Sequence, residues 1–300
     1  MAYRLGILTS LYDDYAVELL RKIDRAVAER FIAAEVPFVF CNRGRGFSQE
    51  VDRRIAAVEQ LEHIGDLILF PSKDFQPELR AHDRPRWLLL HDRGVMRLLP
   101  EAHSYLNVGY MQLIGAEMLA RLDIVNLHPA LPRLGPVGIW PKVMEEQAER
   151  PLPYLLAMGK EERRDALPRI MEISWNRAGG MLHLVGEEPD RGPVISWYEF
   201  SLTSPRLDEL WLRATEELQD KGLEDLKATG LWQELVREIR REQFKGEEPL
   251  ILLTYHRLSR GEWEIKDRQL WIAGRELPGG FCLNREVGEY LKEHGIDHLI

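Results

Sequence analysis

Two hydrophobic periodicities alternate along the first half of the chain. Short apolar runs at residues 5–8, 36–41 and 66–70 predict three strands, because runs of this length bounded by turn residues are typical of buried strands. After Asp13 and Asp14, apolar side chains recur every three to four residues, which predicts an amphipathic helix with its buried face at Ala16, Leu19, Leu20, Ile23 and Val27. Residues 48–63 also have helical spacing.

The middle of the chain continues this alternation. It predicts a helix over 116–122 and a strand over 124–127, whereas 87–91 fits either a strand or a buried helical turn. After a helical and irregular stretch at 137–178, strands are predicted at 179–185 and 194–200. Strands that alternate with helices at this spacing favour an α/β fold, a Rossmann-like, mostly parallel sheet flanked by helices.

The C-terminal third is predicted to extend this core with further helices and strands. A long helix is predicted over 207–244, a strand over 250–255, a β-hairpin over 262–273 and a last helix over 285–294. We therefore expect a catalytic core at 1–205, with a helical insertion at about 150–177. A C-terminal helix and hairpin extension at 206–300 would pack on this core.

Composition narrows the class of protein. The 300 residues are 45% hydrophobic and 30% charged, as in globular proteins, and carry a net charge of −9, which argues against a broad nucleic-acid surface. No apolar run approaches the roughly 18 residues of a membrane span. Cys41 and Cys282 are the only cysteines, and the start lacks a signal-like segment, so we expect free thiols in the cytoplasm. Sparse Asn and Gln lean toward a thermophilic source.

The candidate chemistry begins where the strand 124–127 ends. Asn126 and His128 stand two apart, so on an extended backbone they share a face, and Pro129 holds His128 extended. Open α/β sheets place active sites at the carboxyl ends of their strands. An amide that can donate to an oxyanion beside an imidazole that can carry a proton suits acyl transfer.

A third candidate is Asp190, which lies in a turn rich in Pro and Gly. If its loop meets the end of the 124–127 strand, its carboxylate would hold the His128 imidazole and favour the charged form. The chain has no Gly-x-Ser-x-Gly motif and no cysteine near these loops. Direct attack by an amine or by water therefore fits better than a covalent intermediate.

Four segments of the chain, in order, resemble the folate-dependent formyltransferases. Residues 126–132 (Asn-Leu-His-Pro-Ala-Leu-Pro) with Gly135-Pro136 are similar to their Asn-x-His-Pro motif, and 181–195 is similar to their His-containing strand and Asp-Gly-Gly-Pro turn. Residues 108–114 and 271–278 resemble a strand end and a C-terminal hairpin of the family. The closest members by pattern act on glycinamide ribonucleotide, in purine biosynthesis.

The resemblance implies the formyltransferase fold and the transfer of a formyl group from 10-formyltetrahydrofolate, as co-substrate, to a primary amine. Asn126 would stabilise the tetrahedral oxyanion, His128 would carry a proton, and Asp190 would orient His128 or a water. His183 would hydrogen-bond the Asp190 carboxylate without taking part in the reaction itself. The folate ring would bind to the backbone of Met111, Gln112 and Leu113.

The chain departs from the family where the acceptor would bind. The family's first loop is rich in Gly and binds phosphate at a helix N-terminus, whereas residues 9–14 here are Thr-Ser-Leu-Tyr-Asp-Asp. Asp13 and Asp14 would repel a phosphate. We therefore predict that the acceptor contacts Ser10 together with the arginines of the next strand exit, Arg43 and Arg45.

Other functions stay open. They are hydrolysis of 10-formyltetrahydrofolate, formylation of an amino-sugar nucleotide, and a folate-binding relative without activity. The acidic balance and the lack of an obvious C-terminal barrel disfavour methionyl-tRNA. The expected partners are a small-molecule amine, no nucleic acid and no membrane, and a homodimer is left open. No metal is predicted, because the spacing of His63, His82, His91 and His103 does not suit a metal site.

Overall fold

The structure, a computed structural model, describes residues 2–132, 135, 137–173 and 176–298. Pro136 of the quoted motif and residues 174 and 175 of the predicted insertion lie outside these ranges. In chain order, the first half contains the elements β1 (Tyr3–Thr9), α1 (Asp14–Ala28), β2 (Ala34–Cys41), α2 (Gln49–Val58), β3 (Ile64–Leu69), α3 (Pro77–His82), α4 (Arg84–Leu98), β4 (Ser104–Val108), α5 (Ala116–Leu119) and β5 (Ile124–His128).

The second half begins with three helices and two long strands. Its elements are α6 (Trp140–Glu149), α7 (Leu152–Leu156), α8 (Arg163–Ile173), β6 (Arg177–Leu184), β7 (Val194–Ser201), α9 (Pro205–Asp220), α10 (Leu223–Lys227), α11 (Gly230–Ser259), β8 (Trp263–Lys266), β9 (Gln269–Ile272), β10 (Arg275–Glu276), β11 (Phe281–Cys282) and α12 (Asn284–Glu293). Helices α7 and α8 lie in the segment predicted to be a helical insertion.

The central sheet has eight strands in the order β11-β7-β6-β5-β4-β1-β2-β3. The five from β3 to β5 pair in parallel, and β1 is buried along most of its length, as expected for a parallel strand covered on both faces. The predicted α/β fold, a mostly parallel sheet flanked by helices, is confirmed. Strands β8, β9 and β10 form a separate three-stranded sheet, which includes the predicted C-terminal hairpin.

The chain divides into two compact units. The first comprises Met1–Leu127, Leu182–Ile195 and Ile251–Phe281, and the second His128–Met181, Ser196–Leu250 and Cys282–Ile300. A core cluster of the first unit joins strands to α4 and α5 through Leu8, Phe38, Phe40, Val95, Tyr105, Tyr110, Met118 and Ile124. In the second unit, the Trp211 indole of α9 donates to the Ala148 carbonyl of α6 at 2.9 Å. The functional division at 205/206 remains a prediction.

Two predictions in the C-terminal third are wrong. The strand predicted at 250–255 is part of α11, since this buried apolar run follows Pro249, which stands inside the helix rather than at its boundary. Periodicity alone does not separate a short buried strand from a buried helical segment. The helix predicted at 207–244 is interrupted between α9 and α11, where Gly222 and Gly230 flank the short helix α10. The ambiguous run 87–91 belongs to α4.

Among the described residues, no helix is long and apolar enough to cross a membrane. Both cysteines are free thiols, as predicted; Cys41 is buried and Cys282 is exposed.

Candidate active site

The exits of β1 and β4 are joined through Ser10. Its backbone N–H donates to the Gly109 carbonyl at 3.1 Å, and its hydroxyl accepts from the Met111 N–H at 2.8 Å. Gly109 has a φ of +68°, which favours glycine, and the Asn107 side chain accepts from the Tyr110 N–H at 2.6 Å. Hydrogen bonds therefore hold the loop that follows β4 at Gly109 and at Met111. The Ser10 hydroxyl, predicted to contact substrate, accepts one of them and keeps its O–H to donate.

This loop presents apolar side chains to solvent. Met111 is 49% exposed and Leu113 is 59% exposed, although both are large hydrophobic residues. Exposed apolar groups beside fixed backbone suit a flat heterocycle, which gains from apolar contact and from backbone hydrogen bonds. The Met111 N–H is occupied by Ser10, so a ring bound here would use other backbone groups of the loop.

A buried polar chain anchors the far end of the same loop, and the sequence did not reveal it. The Ser72 hydroxyl lies 2.8 Å from His91 Nε2, His91 Nδ1 lies 3.4 Å from Asp92 Oδ1, and Asp92 Oδ2 accepts from the Gly115 N–H at 2.6 Å. The order Ser, His, Asp is that of a nucleophilic triad. Ser72, however, is only 3% exposed, and the Trp87 ring stacks on His91 at 4.6 Å. We infer that the side chains of Ser72, His91 and Asp92 position the loop that follows β4.

The catalytic candidates of the first unit lie together on β5, β6 and the turn after β6. Asn126 Nδ2 lies 3.1 Å from His183 Nε2, and His183 Nε2 lies 3.8 Å from Asp190 Oδ1. His183 Nδ1 lies 3.0 Å from the Leu184 carbonyl. Because a carbonyl oxygen only accepts, this contact places the ring proton on Nδ1 and leaves Nε2 as an acceptor for the Asn126 amide.

Backbone geometry fixes the Asp190 turn. Asp190 has a φ of +55°, and the Leu184 N–H donates to the Pro193 carbonyl at 2.8 Å. A Cβ on Gly192 would stand 1.7 Å from the Leu184 carbonyl oxygen, so this position requires glycine. The turn is thereby closed against the end of β6, which carries His183.

His128 is the last residue of β5, two positions after Asn126, and is 2% exposed. Two residues along an extended strand bring side chains to the same face. Both residues lie on β5, and that their side chains share a face stays a prediction. His128 belongs to the second unit, and Asp190 to the first.

The two predicted acceptor arginines differ in their surroundings. Arg45 is exposed and forms an ion pair with Glu59, which raises the pKa of Arg45. Arg43 contacts two aromatic rings, with its guanidinium carbon 5.3 Å from the Tyr12 ring centre and 4.7 Å from that of Phe47. Burial lowers the pKa of Arg43.

In the part of the chain that the structure describes, no three His, Cys, Asp or Glu side chains form a group suited to a metal ion. The metal-free reaction expected from the sequence stays a prediction.

Comparison with known proteins shows which solved structures share this fold. No protein-family model and no curated protein sequence matches the chain. Among solved structures, it is similar to phosphoribosylglycinamide formyltransferase from Coxiella burnetii (TM-score 0.55, 15% identity, 94% of this chain and 99% of that one). It is also similar to glycinamide ribonucleotide transformylase 1 from Symbiobacterium toebii (TM-score 0.52, 18% identity, 90% and 94%).

A third similar structure has a different reaction in its name. The formyltetrahydrofolate deformylase from Pseudomonas syringae matches with a TM-score of 0.52 and 13% identity, over 91% of this chain and 66% of that one. These likenesses establish a shared fold.

Proposed function

Since the chain has the fold of folate-dependent formyltransferases, we propose that it transfers a formyl group from 10-formyltetrahydrofolate to a primary amine. The observation that carries this proposal is the Asn126, His183 and Asp190 group, in which the Asn126 amide lies 3.1 Å from a histidine ring whose other nitrogen faces a carbonyl. Such a contact fixes the orientation of the amide, and a fixed amide donor is what an oxyanion requires.

The proposed reaction proceeds by direct attack. The acceptor nitrogen attacks the formyl carbon, and the carbonyl electrons move to oxygen. One Asn126 N–H donates to His183, so the second N–H is available for the oxyanion. The oxyanion then collapses, the bond from the formyl carbon to N10 breaks, and N10 takes up a proton as tetrahydrofolate leaves. His128 carries the proton from the attacking amine, and the Asp190 carboxylate orients His128 or a bridging water.

The folate ring is proposed to bind the backbone of Met111, Gln112 and Leu113. Support comes from the two anchors of this loop, the Ser10 hydroxyl at Met111 and the Asp92 carboxylate at Gly115. A rigid loop loses little entropy when it binds a ligand.

Glycinamide ribonucleotide is the leading proposed acceptor, which would place the enzyme in purine biosynthesis and in the cytoplasm. Ser10, Arg43 and Arg45 are its proposed contacts, with Arg43 the best suited because it has no carboxylate partner among the described residues. The similarity to a deformylase supports a second candidate, hydrolysis with water in place of the amine. Two further alternatives are an amino-sugar nucleotide as the acceptor and a folate-binding relative without activity. Formation of a homodimer is a separate proposal.

The test is an activity screen with 10-formyltetrahydrofolate against glycinamide ribonucleotide, amino-sugar nucleotides and water. We expect tetrahydrofolate to form with glycinamide ribonucleotide, together with a product that carries one formyl group. Formate released at the same rate with and without an amine would favour the hydrolase. If no substrate gives tetrahydrofolate, the proposed function is wrong.

A further inference from the structure

The loop between β1 and α1 is occupied by the chain's own acids. Asp13 caps α1 by accepting from the Ala16 N–H at 3.1 Å. Asp14 accepts from Arg53 and Arg54, each at 2.8 Å, and these contacts lower the pKa of Asp14. The N-terminus of α1 is therefore capped by a carboxylate of the chain itself, and this negative charge would repel an acceptor phosphate.

The next two strand exits are packed against each other. The Ser72 N–H, after β3, donates to the Asn42 carbonyl, after β2, at 3.0 Å. A Cβ on Gly44 would stand 2.5 Å from Pro71 Cγ, so only glycine permits this approach. This packing brings together Arg43 and Lys73, the residues that follow Asn42 and Ser72.

Both cations lie on one aromatic ring. The Phe47 ring centre is 4.7 Å from the Arg43 guanidinium carbon and 4.4 Å from Lys73 Nζ. Phe47 is 39% exposed, and Tyr12, which also contacts Arg43, is 55% exposed. Rings of this kind hold a cation without neutralising it.

The two cations are also unmatched by acids. Among the described residues, neither Arg43 nor Lys73 forms an ion pair, although the chain has 49 acidic residues against 40 basic ones. Burial lowers the pKa of Arg43, so its charged form gains when an anion approaches. A planar guanidinium and an ammonium together suit an oxyanion with several acceptor oxygens.

We propose that Arg43 and Lys73, held on Phe47, form an anion clamp for a phosphate monoester on the amine acceptor. The proposal rests on the proposed function for its acceptor, but the clamp itself is a binding site and does not need turnover. Phosphate monoesters carry about two negative charges at neutral pH, which matches two cations.

The test uses inorganic phosphate as the probe and the full chain, with affinity measured by phosphorus NMR titration. We expect Arg43→Ala/Lys73→Ala to weaken phosphate binding by about 10–100-fold, as for the loss of two charge-assisted contacts. The control is Arg97→Ala/Lys266→Ala, which removes the same charges elsewhere; Lys266 lies 5.2 Å from the Trp271 ring, a comparable cation and ring pair. We expect the control to bind phosphate within about threefold of the unaltered chain.

The affinity for tetrahydrofolate tests whether the clamp instead binds the carboxylates of the folate. We expect it to stay within about threefold in both double variants. Unchanged phosphate affinity in Arg43→Ala/Lys73→Ala would overturn the clamp, and so would a loss confined to tetrahydrofolate. If phosphate binds as expected but no acceptor is formylated, the proposed function fails while the clamp stands.

Discussion

Asn126 and His183 are 57 residues apart in sequence, yet Asn126 Nδ2 lies 3.1 Å from His183 Nε2. The His183 ring is fixed from its other side, where Nδ1 faces the Leu184 carbonyl at 3.0 Å. A neutral His183 can therefore accept from the Asn126 amide, and a protonated one cannot. We infer that His183 acts through Asn126, as a positioning residue.

His183→Ala should lower kcat by about 10–100-fold, less than the 10²–10³-fold typical for loss of an oxyanion donor, because Asn126 remains but is no longer fixed. His183→Gln should recover part of the loss, since its amide oxygen can accept from Asn126. Steady-state kinetics measures both. An equal loss in the two variants, or a loss confined to KM, would contradict a positioning role.

Ser72→Ala tests whether the buried Ser72, His91 and Asp92 chain is nucleophilic. We expect kcat to stay within about threefold, while the free energy of unfolding falls by about 1 kcal/mol from the lost hydrogen bond. Denaturant unfolding and steady-state kinetics give both quantities. A loss of about a thousandfold in kcat would instead make Ser72 the nucleophile of a covalent mechanism.

Asp92→Asn tests the anchor of the folate loop. The charged acceptor of the Gly115 N–H would be replaced by a neutral amide, so we expect the free energy of unfolding to fall by about 1–3 kcal/mol. The affinity for tetrahydrofolate should fall more than in Ser72→Ala, because only Asp92 contacts the loop directly. Equal folate affinity in the two variants would separate this chain from the folate site.

Gln112→Ala tests whether the folate ring is bound through backbone. The side chain would not be the ligand, so we expect tetrahydrofolate affinity within about threefold of the unaltered chain. Ser10→Ala provides the contrast, because it removes the acceptor of the Met111 N–H. A larger loss for Gln112→Ala than for Ser10→Ala in a binding titration would mean that the Gln112 side chain contacts the ring.

The two cysteines should differ in reactivity. Burial raises the pKa of Cys41 to about 11, so at pH 8 only about 0.1% of this thiol is ionised, and the group is also enclosed. We expect iodoacetamide to label one thiol per folded chain at pH 8, at Cys282, and none in Cys282→Ser. Mass spectrometry of the labelled protein measures this, and rapid labelling of Cys41 would contradict its burial.

The features that could be predicted from the sequence are those that depend on residues close together along the chain. The strand that ends in Asn126 and His128, the helix after Asp13 and the C-terminal hairpin follow from local periodicity and turn residues, and all are present. The helical state of 250–255 was missed, because a short buried apolar run is compatible with both structures.

Contacts between distant residues were beyond local patterns. The contact between Asn126 and His183 depends on the adjacency of β5 and β6. That of Asp92 with Gly115 depends on the packing of α4 and α5, and neither residue belongs to a motif. The position of Lys73 beside Arg43 likewise follows from the sheet order, in which β2 and β3 are neighbours.

The proposed formyl transfer is tested by its rate constant in a single turnover, with enzyme in excess over 10-formyltetrahydrofolate and saturating glycinamide ribonucleotide. We predict that Asn126→Ala lowers this rate constant by about 10²–10³-fold and His128→Ala by about 10²–10⁴-fold, while tetrahydrofolate affinity changes little. Transfer at nearly the unaltered rate in either variant would contradict the proposed roles of these residues at the carboxyl end of β5.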